Sequence, residues 1–496
     1  MSTRTATRDS RLAGLLDGLP TGLLIDGEWV EAASGRRLEV VDPATEQVIT
    51  SIADGGEEDA LRAIDVAARA QQEWGRTAPR RRSEILRRAF ELVMERQDEL
   101  ALLMTSEMGK PLAEARGEVA YAAEFLRWFS EEAVRIDGDA TLSGDGGTRI
   151  ICTREPVGPC VLVTPWNFPM AMGARKIGPA VAAGCTMVFK PSELTPLSSF
   201  ALAQILTEAG LPPGVLNIVC TSDPGSVVGP WLASGKARKL TFTGSTAVGV
   251  KLLEQASQHV MRTSLELGGN APFIVFDDAD LDDAVDGAMV AKMRNMGEAC
   301  TAANRLFVQS GIAEEFSTRL AQRMGELVVG AGVEDGVQVG PLVGTSALAK
   351  VEDLVSDAVS RGARVMVGGE RPDGPGYFYP PTVLADVSPD SALMSQEIFG
   401  PVAPLIGFDT EEEVVAMAND TAWGLVGYVY TRDIERAFRL SEAIEVGMMG
   451  LNTGLVSNPA APFGGVKSSG LGREGGRVGI EEFLEIKYLA MPRRQP

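Results

Sequence analysis

Short, uninterrupted apolar runs alternate with helical stretches through the middle of the chain. These runs cover residues 160–163, 187–189, 215–219 and 239–242. Continuous apolar runs of this length are typical of parallel strands buried on both faces, and such strands are joined by helical crossovers. The alternation therefore predicts an α/β fold with a buried parallel sheet. A second α/β stretch runs from residue 271 to about residue 443.

The region before these runs is predicted to be helical. Between residues 58 and 136 apolar side chains recur at helical spacing, and Ile85, Ala89, Leu92 and Val93 form one apolar stripe. Residues 138–153 contain a glycine-rich segment that favours a hairpin turn between short strands. Residues 483–489 are predicted to form a last strand.

Charge and composition exclude several classes of partner. The chain has 496 residues, and 46 Lys and Arg against 67 Asp and Glu give a net charge of −21. A surface this acidic argues against nucleic acid and against an anionic membrane. An anionic small molecule would therefore need a local cluster of cations. No apolar run reaches the roughly 18 residues of a membrane span, and residues 1–20 do not resemble a secretory signal. We expect a cytoplasmic protein with a loosely ordered extension at residues 1–20.

Cysteine and histidine usage argues against a metal centre. The five cysteines are too few and too scattered for a disulfide framework or a zinc site. His259 is the single histidine in the sequence, so a histidine-based metal site or a Ser-His triad is not expected. No metal is predicted.

Three segments carry the parts of a thiol-based active site. Asn167 lies in Thr164-Pro165-Trp166-Asn167-Phe168-Pro169, Glu266 begins Glu-Leu-Gly-Gly-Asn, and Cys300 ends Asn-Met-Gly-Glu-Ala-Cys. A thiol, a carboxylate and an amide can attack a carbonyl, hold the oxyanion and hydrolyse a thioester. In this order the segments resemble the aldehyde dehydrogenase superfamily, from about residue 25 to about residue 490. Within it the chain is most similar to the succinate-semialdehyde dehydrogenase branch.

The resemblance implies a role for each of these three residues. Cys300 would attack the aldehyde, and the side chain of Asn167 with the backbone N–H of Cys300 would form the oxyanion hole. Glu266 would activate the water that hydrolyses the thioester. Many relatives have Gln where this chain has Glu298, and a carboxylate beside the thiol would raise the thiol pKa. We expect Glu298 to point away. A second cysteine two residues after Cys300 is absent from the sequence, so the redox switch of some relatives is not expected.

A nucleotide loop is predicted where residues 242–249 follow a strand and open a helix, because a helix N-terminus attracts a pyrophosphate. Its spacing differs from the dinucleotide fingerprint, so from the residues alone an ordinary turn is equally compatible. The resemblance implies cofactor contacts at Thr164, Pro165, Trp166, Lys190, Ser192, Glu193, Gly244, Ser245, Gly249, Leu267, Glu397 and Phe399. A carboxylate at Glu193 would bind ribose hydroxyls and repel a 2′-phosphate, which favours NAD and leaves NADP as the second choice.

Substrate choice is predicted to depend on Arg175, Arg294 and Ser457. The resemblance implies that these residues grip the carboxylate at the far end of a semialdehyde, through charge-assisted bonds from two guanidinium groups and one hydroxyl. They would supply the local positive field that an acidic chain needs. The predicted reaction is the oxidation of succinate semialdehyde to succinate.

The resemblance also implies an architecture. A Rossmann-type NAD-binding domain is expected at residues 21–134 and 154–265, an α/β catalytic domain at 266–445, and a small β oligomerisation arm at 135–153 and 482–496. The arm predicts a homodimer or homotetramer. Other functions remain open: oxidation of glutarate semialdehyde or another aldehyde, a cofactor-free cysteine hydrolase, or a non-catalytic binding role.

Overall fold

Two large β-sheets, one of eight strands and one of seven, organise the chain. The computed structural model describes residues 3–494, with side chains described from residue 10 onward. The α-helices of this range are α1 Thr3–Gly18, α2 Glu57–Trp74, α3 Pro79–Glu95, α4 Gln97–Met108, α5 Leu112–Glu132, α6 Ala171–Ala183, α7 Leu197–Glu208, α8 Pro224–Ala233, α9 Thr246–Ser257, α10 Leu281–Met293, α11 Ala313–Gly325, α12 Thr345–Ser360, α13 Ala392–Ser395, α14 Glu411–Asn419 and α15 Ile434–Ala443.

The strands follow in chain order. They are β1 Leu23–Ile25, β2 Glu28–Val30, β3 Arg37–Asp42, β4 Gln47–Ala53, β5 Asp139–Leu142, β6 Thr148–Pro156, β7 Cys160–Val163, β8 Met187–Lys190, β9 Leu216–Ile218, β10 Lys239–Thr243, β11 Arg262–Glu266, β12 Ala271–Val275, β13 Ala303–Gln309, β14 Arg364–Val367, β15 Thr382–Ala385, β16 Val402–Phe408, β17 Trp423–Gly424, β18 Val426–Tyr430, β19 Met448–Leu451, β20 Val466–Lys467, β21 Gly470–Leu471 and β22 Leu484–Pro492.

The first sheet has the order β2-β1-β9-β8-β7-β10-β11-β21. Strands β9, β8, β7, β10 and β11 are parallel, and β1 and β21 close the ends of this parallel set in the antiparallel sense. Every residue of β7, β8 and β10 is buried, as expected for strands with helices on both faces. The four apolar runs predicted as strands are therefore confirmed.

The second sheet has the order β14-β15-β16-β13-β12-β18-β19. All of its pairings are parallel except that of β14 with β15. The predicted second α/β stretch is thus confirmed, and it continues as far as Leu451 in β19. The exact division of the chain into domains stays a prediction.

Four helices, α2 to α5, fill the region predicted to be helical. Ile85, Ala89, Leu92 and Val93 of α3 are all buried in one apolar cluster, which confirms the predicted stripe. Phe125 and Phe129 of α5 belong to the same cluster and pack towards α6. Because α6 follows β7 directly, this packing fixes the segment that links them.

The predicted hairpin and last strand form one three-stranded sheet of order β22-β6-β5. In its register Tyr488 lies opposite Cys152, and Asp139 lies on the other side of Cys152. Ile486, Tyr488 and Leu489 are 67%, 58% and 53% exposed. An exposed apolar strand of this length is unusual on an isolated surface.

The N-terminal segment differs from its prediction as a loosely ordered extension. Residues Thr3–Gly18 form α1, and Leu12 and Leu16 pack against the buried cluster that contains α3 and α5. Their spacing of four residues places both on one helix face, which explains the order. Residues 1–2 and 495–496 lie outside the described part of the chain. Within residues 3–494, no helix has the length and apolarity needed to cross a bilayer.

Candidate active site

A cavity of about 430 Å³ lies at the carboxyl ends of β7, β10 and β11. This edge of a parallel sheet is where ligands bind in open α/β folds. The predicted site residues that line it are Pro165, Trp166, Asn167, Arg175, Gly244, Ser245, Leu267, Arg294, Cys300, Glu397, Phe399 and Ser457. The predicted residues outside its lining are Thr164, Lys190, Ser192, Glu193, Gly249 and Glu266.

Cys300 reaches the cavity through an unusual turn. Asn295, Met296 and Gly297 have φ values of 53°, 57° and 78°, so three successive residues adopt the left-handed conformation. A Cβ atom on Gly297 would lie 2.2 Å from the carbonyl oxygen of Gly400, so only glycine fits there. Beyond the turn, the hydroxyl of Tyr428 donates to the carbonyl of Thr301 across 2.9 Å. These constraints fix the thiol from both sides.

The surroundings of the Cys300 thiol disfavour its ionised form. Burial raises its pKa to about 12, and the negative charges of Glu397 and Glu266 act in the same direction. The guanidinium groups of Arg175 and Arg294 oppose the shift without reversing it. These two cations therefore favour the thiolate, whereas burial and the two carboxylates oppose it.

Asn167 is held beside the thiol by a network of amides. Its Nδ2 donates to the carbonyl of Glu298 across 2.9 Å. Asn295 Nδ2 donates to the carbonyl of Asn167 at 3.0 Å and to that of Glu298 at 2.9 Å. A side-chain amide has two N–H groups, so Asn167 keeps one donor beyond its bond to Glu298. This arrangement suits an oxyanion donor whose position is set before substrate arrives.

Glu266 ends β11 and is almost fully buried, with 2% of its surface exposed. Burial raises its pKa well above the ordinary range, and the charge of Glu474 adds to that shift. Arg175 and Lys176 oppose it. Within the described residues, Glu266 Oε2 has no hydrogen-bond partner. The carboxyl group lies behind the cavity wall, so action on a group bound at Cys300 requires a side-chain rotation or an intervening water.

A buried cluster of charges joins α6 to the C-terminal part of the chain. Arg175 Nε lies 2.5 Å from Glu474 Oε2, and Lys176 Nζ lies 2.5 Å from Glu474 Oε1. Although burial opposes it, the two cations hold the pKa of Glu474 below its usual range. Arg175 also stacks on Phe463 at 4.3 Å, and its Nη2 has no hydrogen-bond partner within the described residues. Arg175 therefore lines the cavity as a cation that is paired with Glu474, and its Nη2 is buried in the cavity wall.

Arg294 and Ser457 meet in the cavity. Arg294 Nη1 donates to Ser457 Oγ across 3.1 Å. The guanidinium lies 5.6 Å from the ring centre of Tyr121 and 5.0 Å from that of Phe168. A hydroxyl and two aromatic faces orient this cation without neutralising its charge. The structure thus brings together all three residues predicted to bind a carboxylate.

The predicted nucleotide loop forms the start of α9. Ser245 caps this helix, and its Oγ accepts from the N–H of Val248 at 3.4 Å. Gly249 packs on Leu267, whose Cδ2 would lie 2.5 Å from a Cβ at that position. Gly244 and Ser245 line the cavity directly in front of the helix N-terminus. Free N–H groups at such a terminus suit a phosphate, so these residues fit the predicted cofactor.

The predicted ribose residues lie at the end of β8. Lys190 Nζ forms a 2.6 Å ion pair with Glu193 Oε2, and Ser192 Oγ accepts from the N–H of Leu194 at 3.2 Å. Leu194 lines the cavity, so this loop borders its rim. Thr164 Oγ1 is buried without a hydrogen-bond partner within the described residues.

Glu397 and Phe399 form the opposite wall. Glu397 Oε1 accepts from the N–H of Gly269 at 3.1 Å, and burial raises the pKa of this carboxyl to about 7. The rings of Trp166 and Phe399 meet edge to face at 5.6 Å. Glu298 points elsewhere: its Oε1 accepts from the N–H of Val343 at 3.3 Å, and it does not line the cavity. The expectation that Glu298 turns away from the thiol agrees with this geometry.

Comparison with known proteins identifies the group to which this architecture belongs. Residues 29–489 match the aldehyde dehydrogenase family. The chain belongs to that family. The resemblance found in the three sequence segments, and the α/β fold that it implied, are confirmed.

Individual relatives cover nearly the whole chain. Succinate-semialdehyde dehydrogenase of Paenarthrobacter nicotinovorans is 57% identical over 90% of this chain and 99% of the relative. Glutarate-semialdehyde dehydrogenase of Pseudomonas putida is 51% identical over 94% of this chain and 97% of the relative. A crystal structure of an NADP-dependent enzyme of Escherichia coli has a TM-score of 0.95, with 48% identity over 97% of this chain and 99% of that chain.

Several cavity residues of this aldehyde dehydrogenase were not predicted. Tyr121, Lys350 and Phe463 line the cavity, and Glu474 holds Arg175 from behind. Lys350 comes from α12, which carries no motif of its own, and burial lowers its pKa. Phe463 follows Ser457 by six positions and could have been found as part of the same loop. Glu474 carried no signal, because its partners are about 300 residues away in sequence.

Proposed function

We propose that this aldehyde dehydrogenase oxidises succinate semialdehyde to succinate. The observation that supports this most strongly is the Arg294–Ser457 pair, which lies with Arg175 in the cavity that holds Cys300. A relative named succinate-semialdehyde dehydrogenase is 57% identical to the chain. A substrate with an aldehyde at one end and a carboxylate at the other matches both ends of this cavity.

The proposed clamp binds the far carboxylate. Arg294 offers a guanidinium that pairs with no carboxylate among the described residues, Ser457 offers a hydroxyl, and Arg175 adds a positive charge in the cavity wall. Charge-assisted hydrogen bonds in a partly dry cavity are stronger than neutral ones. The aromatic walls formed by Tyr121 and Phe168 suit the methylene groups between the two ends of the substrate.

Catalysis in this proposal begins at the thiol. Arg175 and Arg294 stabilise the thiolate of Cys300, which attacks the aldehyde carbon. The free N–H of Asn167 and the backbone N–H of Cys300 then hold the alkoxide. When bound, the nicotinamide cofactor supplies the hydride acceptor for the oxidation. The protein is left with an acyl group on Cys300.

Glu266 completes the proposed cycle. Its buried carboxyl has a raised pKa, which makes the ionised form a stronger base than an exposed glutamate. It takes a proton from the water that attacks the thioester. Its position behind the cavity wall protects the first half-reaction from premature hydrolysis, and it acts on the thioester after a side-chain rotation or through an intervening water.

The proposed cofactor is NAD, with NADP as a poorer substitute. Glu193 already pairs with Lys190 across 2.6 Å. A 2′-phosphate would therefore be repelled by the carboxylate of Glu193, and the charge of Lys190 would be largely offset. Ribose hydroxyls could instead donate to Glu193. The Escherichia coli enzyme whose structure was compared above is NADP-dependent and 48% identical, so this fold also accommodates NADP.

We also infer a homodimer or homotetramer. Ile486, Tyr488 and Leu489 of β22 are exposed apolar residues on the three-stranded arm, and a second copy of the chain would cover them. The proposed location is the cytoplasm, where a catalytic thiol is kept reduced.

Two alternatives are tested together with this proposal. Glutarate semialdehyde has the same end groups and one more methylene, and a relative named for it is 51% identical. A cysteine hydrolase would need a base beside the thiol, yet His259 is exposed beyond the end of α9 and does not line the cavity.

Initial rates decide among these functions. The measurement compares succinate semialdehyde, glutarate semialdehyde and butanal, each with NAD and with NADP. We expect the highest kcat/KM for succinate semialdehyde with NAD. A higher kcat/KM for glutarate semialdehyde would show that it is the better substrate. A higher kcat/KM for butanal would show that the cavity does not select a carboxylate. Ester hydrolysis that is lost in His259→Ala and kept in Glu266→Ala would favour the hydrolase.

A further inference from the structure

A fully buried ion pair lies behind the oxyanion segment, outside the cavity lining. Lys110 follows α4, Glu118 belongs to α5, and both side chains are 1% exposed. Lys110 Nζ lies 2.5 Å from Glu118 Oε2. The mechanism proposed above uses neither residue.

Lys110 holds the carbonyl end of the oxyanion residue. Its Nζ donates to the backbone carbonyl of Asn167 across 2.8 Å and lies 4.3 Å from the ring centre of Phe168. The Asn167 carbonyl accepts a second bond from Asn295, so two donors from different parts of the fold fix this one peptide. The direction of the Asn167 side chain follows from the orientation of that peptide.

Glu118 holds the other end of the same segment. Its Oε1 accepts from the N–H of Met170 at 3.0 Å and from that of Ala171 at 3.1 Å. These N–H groups begin α6, and the side chain of Met170 at the N-cap position makes no capping hydrogen bond. A carboxylate at a helix N-terminus also interacts favourably with the helix dipole. Glu118 thus acts as the cap of the helix that carries Arg175.

Stability alone gives a poor account of this pair. Two charges taken out of water lose hydration, and apolar residues of similar volume often serve the folded state equally well. The pair instead makes three directed bonds to one short segment, residues 167–171. That segment has Asn167 at one end and the start of α6 at the other.

We propose that Lys110 and Glu118 are positioning residues that set the orientation of the Asn167 amide for the first half-reaction. This inference rests on the proposed role of Asn167 as an oxyanion donor. Because the oxyanion forms from any aldehyde, the pair should influence charged and uncharged substrates alike. In this it differs from the carboxylate clamp.

The test removes both charges at once. Lys110→Met/Glu118→Gln avoids an unpaired buried charge, which would destabilise the protein for an unrelated reason. The readout is the single-turnover rate of NADH formation at saturating aldehyde and NAD, with the Kd for NAD and the Tm measured alongside. Loss of one complete oxyanion donor costs about 10²–10³ in rate, so we expect misplacement to cost roughly 10- to 100-fold.

The chain offers a matched control. Lys239 is fully buried, lies 3.4 Å from Glu482 and stacks on Phe483 at 5.1 Å, but it begins β10 at the end opposite the cavity. Lys239→Met/Glu482→Gln removes an ion pair whose lysine is equally buried and should leave the single-turnover rate within about twofold of wild type. Any loss shared by both double variants reflects general destabilisation.

The same double substitution made in the Asn167→Ala protein separates a positioning role from a structural effect. If the pair acts through Asn167, its removal should add little to Asn167→Ala, so the two losses should not multiply. The inference fails if Lys110→Met/Glu118→Gln matches the control, or if its loss is undiminished in Asn167→Ala. If Asn167→Ala alone leaves the rate unchanged, the proposed role of Asn167 fails first and the inference fails with it.

Folding of the double variant is not essential to the test. Glu118→Asp alone keeps a charge opposite Lys110 and shortens the side chain that accepts from the N–H groups of Met170 and Ala171. We expect the same direction of change and a smaller size for both butanal and succinate semialdehyde. An unchanged single-turnover rate in a folded Glu118→Asp protein would overturn the inference.

Discussion

Arg294 Nη1 donates a hydrogen bond to Ser457 Oγ across 3.1 Å, and both side chains face the cavity that contains Cys300. The two residues are 163 positions apart in sequence, so the second sheet and the C-terminal loop must both be in place before the pair can form. The pair proposed to select the substrate and the nucleophile Cys300 therefore line one cavity, which exists only in the folded chain.

Arg294→Ala should reduce kcat/KM for succinate semialdehyde by about 2–4 kcal/mol, because a carboxylate would then be buried with too few partners. Butanal has no carboxylate, so its kcat/KM should change little. Ser457→Ala should have the same direction and a smaller effect, since a neutral donor contributes less than a guanidinium. Equal losses for both aldehydes in steady-state assays would refute the clamp.

Arg175→Ala should behave differently from Arg294→Ala. Arg175 lowers the pKa of both Cys300 and Glu266, and its removal leaves Glu474 with one cation fewer. Both pKa values should rise further, so kcat/KM should fall for butanal as well as for succinate semialdehyde. An intact rate with butanal at neutral pH would show that Arg175 has no role in thiol activation.

The pH dependence of Cys300 alkylation follows from its raised pKa. Below a pKa of about 12 the thiolate is the minor form, and its fraction rises about tenfold for each pH unit. The rate of iodoacetamide modification in the free protein should therefore increase through pH 7 to 9 without a plateau. Cys300→Ala supplies the background from the other cysteines. A plateau below pH 8 would mean that the thiolate is already formed.

Much of this arrangement could be predicted from sequence because it depends on local pattern. Apolar runs gave β7 to β10, and three short segments located Cys300, Asn167 and Glu266. The helix α1 was not predicted because Gly14 and Gly18 lie beside Leu12 and Leu16 and disfavour a helix, and only packing reveals the role of the two leucines.

The charged partners could not be predicted for a different reason. Glu474 contacts Lys176 across 298 positions, and no local pattern marks such a pair. The pKa of Glu266 likewise depends on charges from two distant segments, Arg175 and Lys176 in α6 and Glu474 near the C-terminal end. The residue type indicated the chemistry, whereas the surroundings that tune its pKa required the structure.

Glu193→Ser should shift the cofactor preference towards NADP. The substitution removes a carboxylate that repels a 2′-phosphate and frees Lys190 from its 2.6 Å ion pair. The measurement is the ratio of kcat/KM for NAD to that for NADP at saturating aldehyde. Glu208→Ser, at an exposed glutamate paired with Arg96, is a matched control and should leave the ratio unchanged. The same ratio in Glu193→Ser would show that Glu193 does not contact the ribose.

The central claim is that the aldehyde becomes an acyl group on Cys300 and that Glu266 is needed only to release it. Glu266→Gln should therefore form NADH in a burst of one equivalent per active site and then stall. Mass spectrometry of this variant, mixed with succinate semialdehyde and NAD and digested after the burst, measures the claim most directly. The account predicts a succinyl group on the peptide that contains Cys300. A burst of NADH with Cys300 unmodified would contradict it.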